Sequence, residues 1–179
     1  MPAPKQFFIL LIAACGLCGV LQAQQGPSTG SLPVTHAKSL SGKTITVPLP
    51  DHAQTFLVVG FSHASSAPVK AWWLKAADLC KAHPAFACYE AAVIEDAPSF
   101  IRGMITSGMK HDIPPEQQET FLTVIENEPA WKQVFGFSAP DDAYLGIFDK
   151  SGKLLWRTSG GEKAANSADI AKGFDSISK

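Results

Sequence analysis

The tightest constraint on the fold is the segment "TFLVVGFSHASSAPVK", residues 55–70, where an unbroken apolar run gives way to small and polar residues and then to a proline. A continuous run rich in Val, Leu and Phe suits a strand buried on both faces, at the centre of a sheet. Pro68 suits a first helical turn, where its missing N–H is no loss. Val69, Trp72, Trp73, Ala76, Leu79 and Cys80 then recur at helical spacing, so one face of this helix is expected in the core. His83-Pro84 ends the helix, because a residue before proline is driven out of the α region.

The remaining elements follow from the same signals. "FACYEAAVI" reads as a second strand, parallel to the first because a helix intervenes. Phe100, Ile101, Met104, Ile105 and Met109 mark a second helix whose methionines are expected to pack in the core, and the prolines of "KHDIPPEQQE" break it. Trp131, Val134 and Phe135 suggest a short helix stopped at Gly136. "AYLGIF", the turn "DKSG" and "KLLWRT" spell a β-hairpin, and Ile170, Phe174 and Ile177 line a C-terminal helix. Upstream, Thr44 to Val47 alternate as a short edge strand stopped by Pro48 and Pro50.

The chain has 179 residues, enough for one domain. Its 15 basic and 16 acidic residues give a net charge of −1, which provides no footprint for nucleic acid or for an anionic membrane surface. The first residues join one lysine to the apolar run "FFILLIAACGLCGVL", followed by Leu21-Gln22-Ala23 as a cleavage site. That run is short for a bilayer span, which needs about 20 apolar residues, so a retained membrane anchor is the lesser alternative. Residues 1–23 are therefore expected to be an export signal, 24–39 a flexible polar linker and 40–179 the folded domain. Ile12-Ala13-Ala14-Cys15 also resembles a bacterial lipobox, so lipidation of Cys15 competes with cleavage after Ala23. Both outcomes place the domain outside the cytoplasm, in a bacterial periplasm or secreted, with no membrane span once the signal is cleaved.

Only Cys80 and Cys88 then belong to the domain. In an oxidising compartment a disulfide between them is expected, stabilising by roughly 2–3 kcal/mol for so short a loop, and two buried free thiols are the alternative. Cys80 sits near a helix end, where the dipole disfavours a thiolate, which argues for a structural use.

The order of strands and helices is that of an α/β thioredoxin-like three-layer sandwich, a mixed central sheet with helices on both faces and a C-terminal β-hairpin plus helix. In the thioredoxin superfamily the motif Cys-Gly-Pro-Cys-Lys follows the central strand, and here Ser66-Ala67-Pro68-Val69-Lys70 stands at the matching place. Disulfide exchange needs a thiolate and a resolving thiol, and neither Ser66 nor Val69 supplies one. "GFSHASSAPVKAW", "FIRGMITSGMKHDIP" and "DDAYLGIFDKSGKLLWRTSGG" further resemble segments of the mitochondrial ATP synthase assembly factor family and its bacterial relatives. That resemblance spans about residues 40–175 and implies a thioredoxin-like scaffold, without dithiol chemistry, that binds or assists another protein.

Other chemistries have weaker support. Gly60-Phe61-Ser62-His63-Ala64 approaches a nucleophile elbow but lacks its final glycine, and His83 and His111 occupy no recognisable catalytic loop. Ser65 and Ser66 are expected instead to cap the helix through their hydroxyls. The histidines at 36, 52, 63, 83 and 111 form no i, i+4 pair and have no cysteine companion, so neither a metal nor a cofactor is expected. Asp141 and Asp142 read as solvated loop residues, and Pro140 before them as trans. No residue is assigned a catalytic role. The expected function is an exported, non-catalytic module that meets a protein partner through His63, Ser65, Ser66 and Pro68, and the alternative is a thiol oxidoreductase or peroxidase using Cys80 and Cys88.

Overall fold

The computed structural model describes residues 30–177. The expected export signal, Cys15 and residues 24–29 of the expected linker lie outside the described residues. The elements are β1 (Thr35–Ser39), β2 (Thr44–Val47), β3 (Gln54–Gly60), α1 (Ser66–Ala82), β4 (Phe86–Val93), α2 (Ser99–Asp112), β5 (Phe121–Val124), α3 (Glu128–Phe135), β6 (Ala143–Asp149), β7 (Leu154–Gly160) and α4 (Ser167–Ile177). They form one seven-stranded mixed sheet in the order β2-β1-β5-β4-β3-β6-β7.

The apolar run places β3 where its composition requires. It pairs parallel with β4 and antiparallel with β6, and Thr55 through Gly60 are all buried. Alternation along the strands then divides the core in two. Leu57, Val59, Ala91, Val93, Tyr144 and Phe148 pack with Trp131, Val134 and Phe135 of α3 on one face. Phe56, Val58, Phe86, Leu145 and Ile147 pack with Val69, Trp72 and Ala76 of α1 and Ile170 and Phe174 of α4 on the other. Phe174 stacks on Phe86 with ring centroids 4.4 Å apart and tilts against Phe56 at 5.2 Å. Each of these fully buried side chains contributes roughly 1.5–3 kcal/mol through area removed from water.

The hairpin forms through its turn. Asp149 Oδ1 accepts from the backbone N–H groups of Ser151 and Lys153 at 2.8 and 3.0 Å, and Gly152 takes the positive φ of 84° that the turn requires. Helix α3 ends on Gly136 at φ 66°, as the glycine stop predicts. At the sheet's far side, β2 is the edge strand.

Three expectations are corrected. From residue 30 the linker expected over 24–39 gives way to structure, since Leu32 is buried and Thr35–Ser39 is β1, paired with both β2 and β5. Its inward residues are Thr35, Ala37 and Ser39, too small and polar to show an apolar period, and Thr35 Oγ1 is fixed instead by the Trp131 indole N–H at 3.1 Å. Strand β5, not foreseen, takes the position beside β4, in parallel. The second helix forms as expected, but none of its residues is buried: Phe100 is 83% exposed and Met104 70%. Its apolar face is a wall of the cavity described next, not core.

Candidate functional site

The site grows from the end of β3. Gly60 closes the strand against the loop that follows, and a Cβ built there would fall 2.5 Å from Ser65 Oγ and 3.0 Å from a Val69 methyl. Only a glycine lets the loop fold back so closely. Ser65 is fully buried and its hydroxyl donates to the Ser62 carbonyl at 2.7 Å, while the Ser65 N–H donates to Ser62 Oγ at 3.1 Å. These bonds tie residues 62–65 into a compact turn that delivers the chain to α1.

The capping expectation is corrected here. Ser65 is the N-cap residue, yet no side chain caps α1, because the Ser65 hydroxyl points back to Ser62. Ser66, at the first helical position, is exposed, as are His63, Ala64 and Ala67, whereas Pro68 and Val69 are buried. The exposed surface of this loop is thus Ser62, His63, Ala64, Ser66 and Ala67, while Ser65 and Pro68, expected as contact residues, are buried with Val69.

A second loop stands beside the first. Ser62 Oγ donates to Asp141 Oδ1 at 3.4 Å, and Phe61 packs edge-on against Phe137 and Tyr144 at 5.3 and 5.5 Å. The Tyr144 hydroxyl accepts from the N–H groups of Ser138 and Ala139 and donates to the Ala139 carbonyl, all within 2.9 Å. One buried phenol therefore fixes the course of residues 138–139. The peptide bond before Pro140 is trans; the cis bond among the described residues precedes Pro48.

The largest feature of the site was not read from the sequence. A cavity of about 720 Å³ opens from the loop and runs between α1 and α2. Val69, Trp73 and Leu74 of α1 face Met104, Ile105 and Met109 of α2 across it, and Glu90 and Ala92 of β4 form its floor. Ser66 and Val69, the two substituted motif positions, lie at its end together with His63 and Ser65. The site therefore joins the exposed loop to an apolar groove.

Glu90 is the anomaly in that groove. Its residue is 4% exposed, and no described residue makes a hydrogen bond to its carboxyl. Burial pushes its pKa from the ordinary 4.5 up to about 8, and the Lys70 cation opposes the rise. At neutral pH the group is mostly an uncharged acid, able both to donate and to accept. The sequence did hold a signal, one charged residue inside the apolar run "FACYEAAVI".

The two domain cysteines form a disulfide, with Cα atoms 6.2 Å apart. It lies beneath the last turn of α1, beside the core of that face. Cys80 lies fourteen positions after Ser66 along the helix, about 21 Å at 1.5 Å per residue. This disulfide does not take the place of the missing motif. Among the described residues no cluster of three His, Cys, Asp or Glu side chains could hold a metal ion.

Comparison with family models and with curated proteins finds no match. Solved structures do share the fold. The exposed lipoprotein thioredoxin Etrx1 of Streptococcus pneumoniae aligns with a TM-score of 0.58 at 11% identity, over 80% of this chain and 99% of that one. BsSco, a member of the Sco family of cytochrome c oxidase assembly proteins, aligns at 0.53 and 11% identity over 88% and 97%. A thioredoxin-family thiol:disulfide interchange protein of Chlorobium tepidum aligns at 0.50 and 12% identity over 83% and 94%. The fold is thioredoxin-like.

Proposed function

We propose that this chain is an exported, non-catalytic thioredoxin-like protein that binds or assists a protein partner, most directly through the loop at residues 62–67. The observation that carries this reading is the pair Ser66 and Val69 at the positions where a redox motif would hold its thiols. One of them is an alcohol at the surface and the other a buried methyl-bearing side chain, so the loop retains the shape of a thiol–disulfide site without its reagents. What remains is a rigid, exposed loop beside an apolar groove, and such loops serve as contact surfaces.

The fold likeness to Sco-family assembly proteins agrees with a role in assembling or assisting another protein, as does the resemblance to the ATP synthase assembly factor family. Export is supported by the sequence of residues 1–23, ending in cleavage after Ala23 or lipidation of Cys15, and agrees with the exposed lipoprotein among the structures of the same fold. Among the described residues no helix is long and apolar enough to cross a membrane.

Insulin-reduction and peroxide-turnover assays on the purified chain test the reading. No turnover is expected above a buffer control. Turnover that disappears in Cys80→Ser would replace the binding role with a thiol enzyme using Cys80 and Cys88.

A further inference from the structure

Helix α2 is the least anchored element of the fold, and the groove it makes with α1 is left open. None of its residues is buried, and Met104 on its rim stands opposite Leu74 of α1, 70% and 65% exposed. The space between them, about 720 Å³, lies within the ordinary size of a ligand site. Exposed methionines and leucines around such a groove adapt to the side chains of a visiting segment.

The floor says more about the visitor. Glu90 sets a carboxyl in the floor of an otherwise apolar groove, with no hydrogen bond from a described residue to hold it, so its oxygens open onto the cavity. The titratable groups that line the groove with Glu90 are His63 of the loop, Lys70 of α1 and Asp112 of α2. Because burial disfavours the carboxylate, Glu90 presents a hydroxyl donor and a carbonyl acceptor side by side. An amide matches both, its N–H meeting the carbonyl and its own carbonyl taking the hydroxyl proton in a second hydrogen bond. A cation would offer donors only and a carboxylate acceptors only, so each would leave half of that pair unmatched, while Lys70 and Asp112 in the same groove favour neither charge. Apolar groups joined to amides describe a polypeptide.

We propose that the α1–α2 groove binds an apolar polypeptide segment of the partner, with the Glu90 carboxyl hydrogen-bonded to an amide of that segment. This rests on the protein-binding reading and adds where the partner's chain enters and what it must offer there.

Octanamide, octylamine and octanoate are the probes, each titrated into the full chain and followed by the backbone NMR shifts of Gly60, Ala92 and Gly108. Octanamide is expected to bind, and to weaken roughly tenfold from pH 7 to pH 9, because a group titrating near 8 falls from about nine-tenths to one-tenth protonated over that interval. Glu90→Gln keeps a donor and an acceptor, so it should bind octanamide with no pH dependence, which also excludes His63, Lys70 and Asp112 as the source. Glu90→Leu should bind it more weakly at every pH.

Equal octanamide affinity in Glu90→Leu and the wild type would overturn the proposal. So would tighter binding of octylamine or octanoate than of octanamide, or no shifts up to the solubility limit of octanamide. Cross-linking from position 66 in Glu90→Leu separates the two readings. Adducts that persist there beside a failed probe titration reject the groove and leave the protein-binding role standing.

Discussion

Cys80 is bonded to Cys88 at the end of α1 opposite Ser66. The helix thus carries a disulfide at one end and its substituted motif position at the other. Reduction or Cys80→Ser should lower the unfolding free energy by roughly 2–3 kcal/mol, the usual effect of closing a short loop. Urea denaturation with and without dithiothreitol measures this, and a change in partner cross-linking from position 66 is not expected.

Glu90 makes stability depend on pH. Its folded pKa of about 8 lies above the ordinary 4.5, so the folded state holds the proton more tightly. The associated stability is fully present below pH 4.5 and is lost as pH rises through 8. Between those limits the loss is at most about 1.4 kcal/mol per pH unit. Thermal melts of the wild type should fall over this window relative to Glu90→Gln, which cannot ionise.

Gly60→Ala should destabilise the turn by about 1–3 kcal/mol, since its Cβ would lie 2.5 Å from Ser65 Oγ. Ser65→Ala removes that oxygen. In the double variant, chemical denaturation should recover part of the loss, though the Val69 methyl 3.0 Å away keeps the recovery incomplete.

Tyr144→Phe should cost about 1–3 kcal/mol, because the phenol oxygen serves two N–H groups and one carbonyl in the 138–139 segment. Faster amide hydrogen exchange at Ser138 and Ala139, with β6 itself still protected, is the local signature expected.

The elements that sequence reading located are those with long, uniform signals. The apolar run of β3, the helical period from Val69 to Cys80 and the turn at Asp149 to Gly152 each left little choice of structure. Strand β1 escaped because its inward face is Thr35, Ala37 and Ser39, held by pairing and by one indole hydrogen bond rather than by apolar bulk. Strand β5 has four residues buried on both faces, so it lacks the alternation that marked the equally short β2. For α2 the apolar period gave the helix correctly but not its cover, since periodicity marks a face to be hidden without saying what hides it. Glu90 was passed over because one acid in an apolar run acquires meaning only when a cavity is seen above it.

This loop is proposed to meet a partner and to do no thiol chemistry. A photo-activatable amino acid at Ser66, compared with one at Lys81 on the exposed far end of the same helix, tests it directly in the native host. A discrete adduct is expected from position 66, absent from position 81 and abolished when Leu74 and Met104 are both replaced by lysine. Equal adducts from both positions, or none from 66 beside insulin reduction that depends on Cys80, would contradict it.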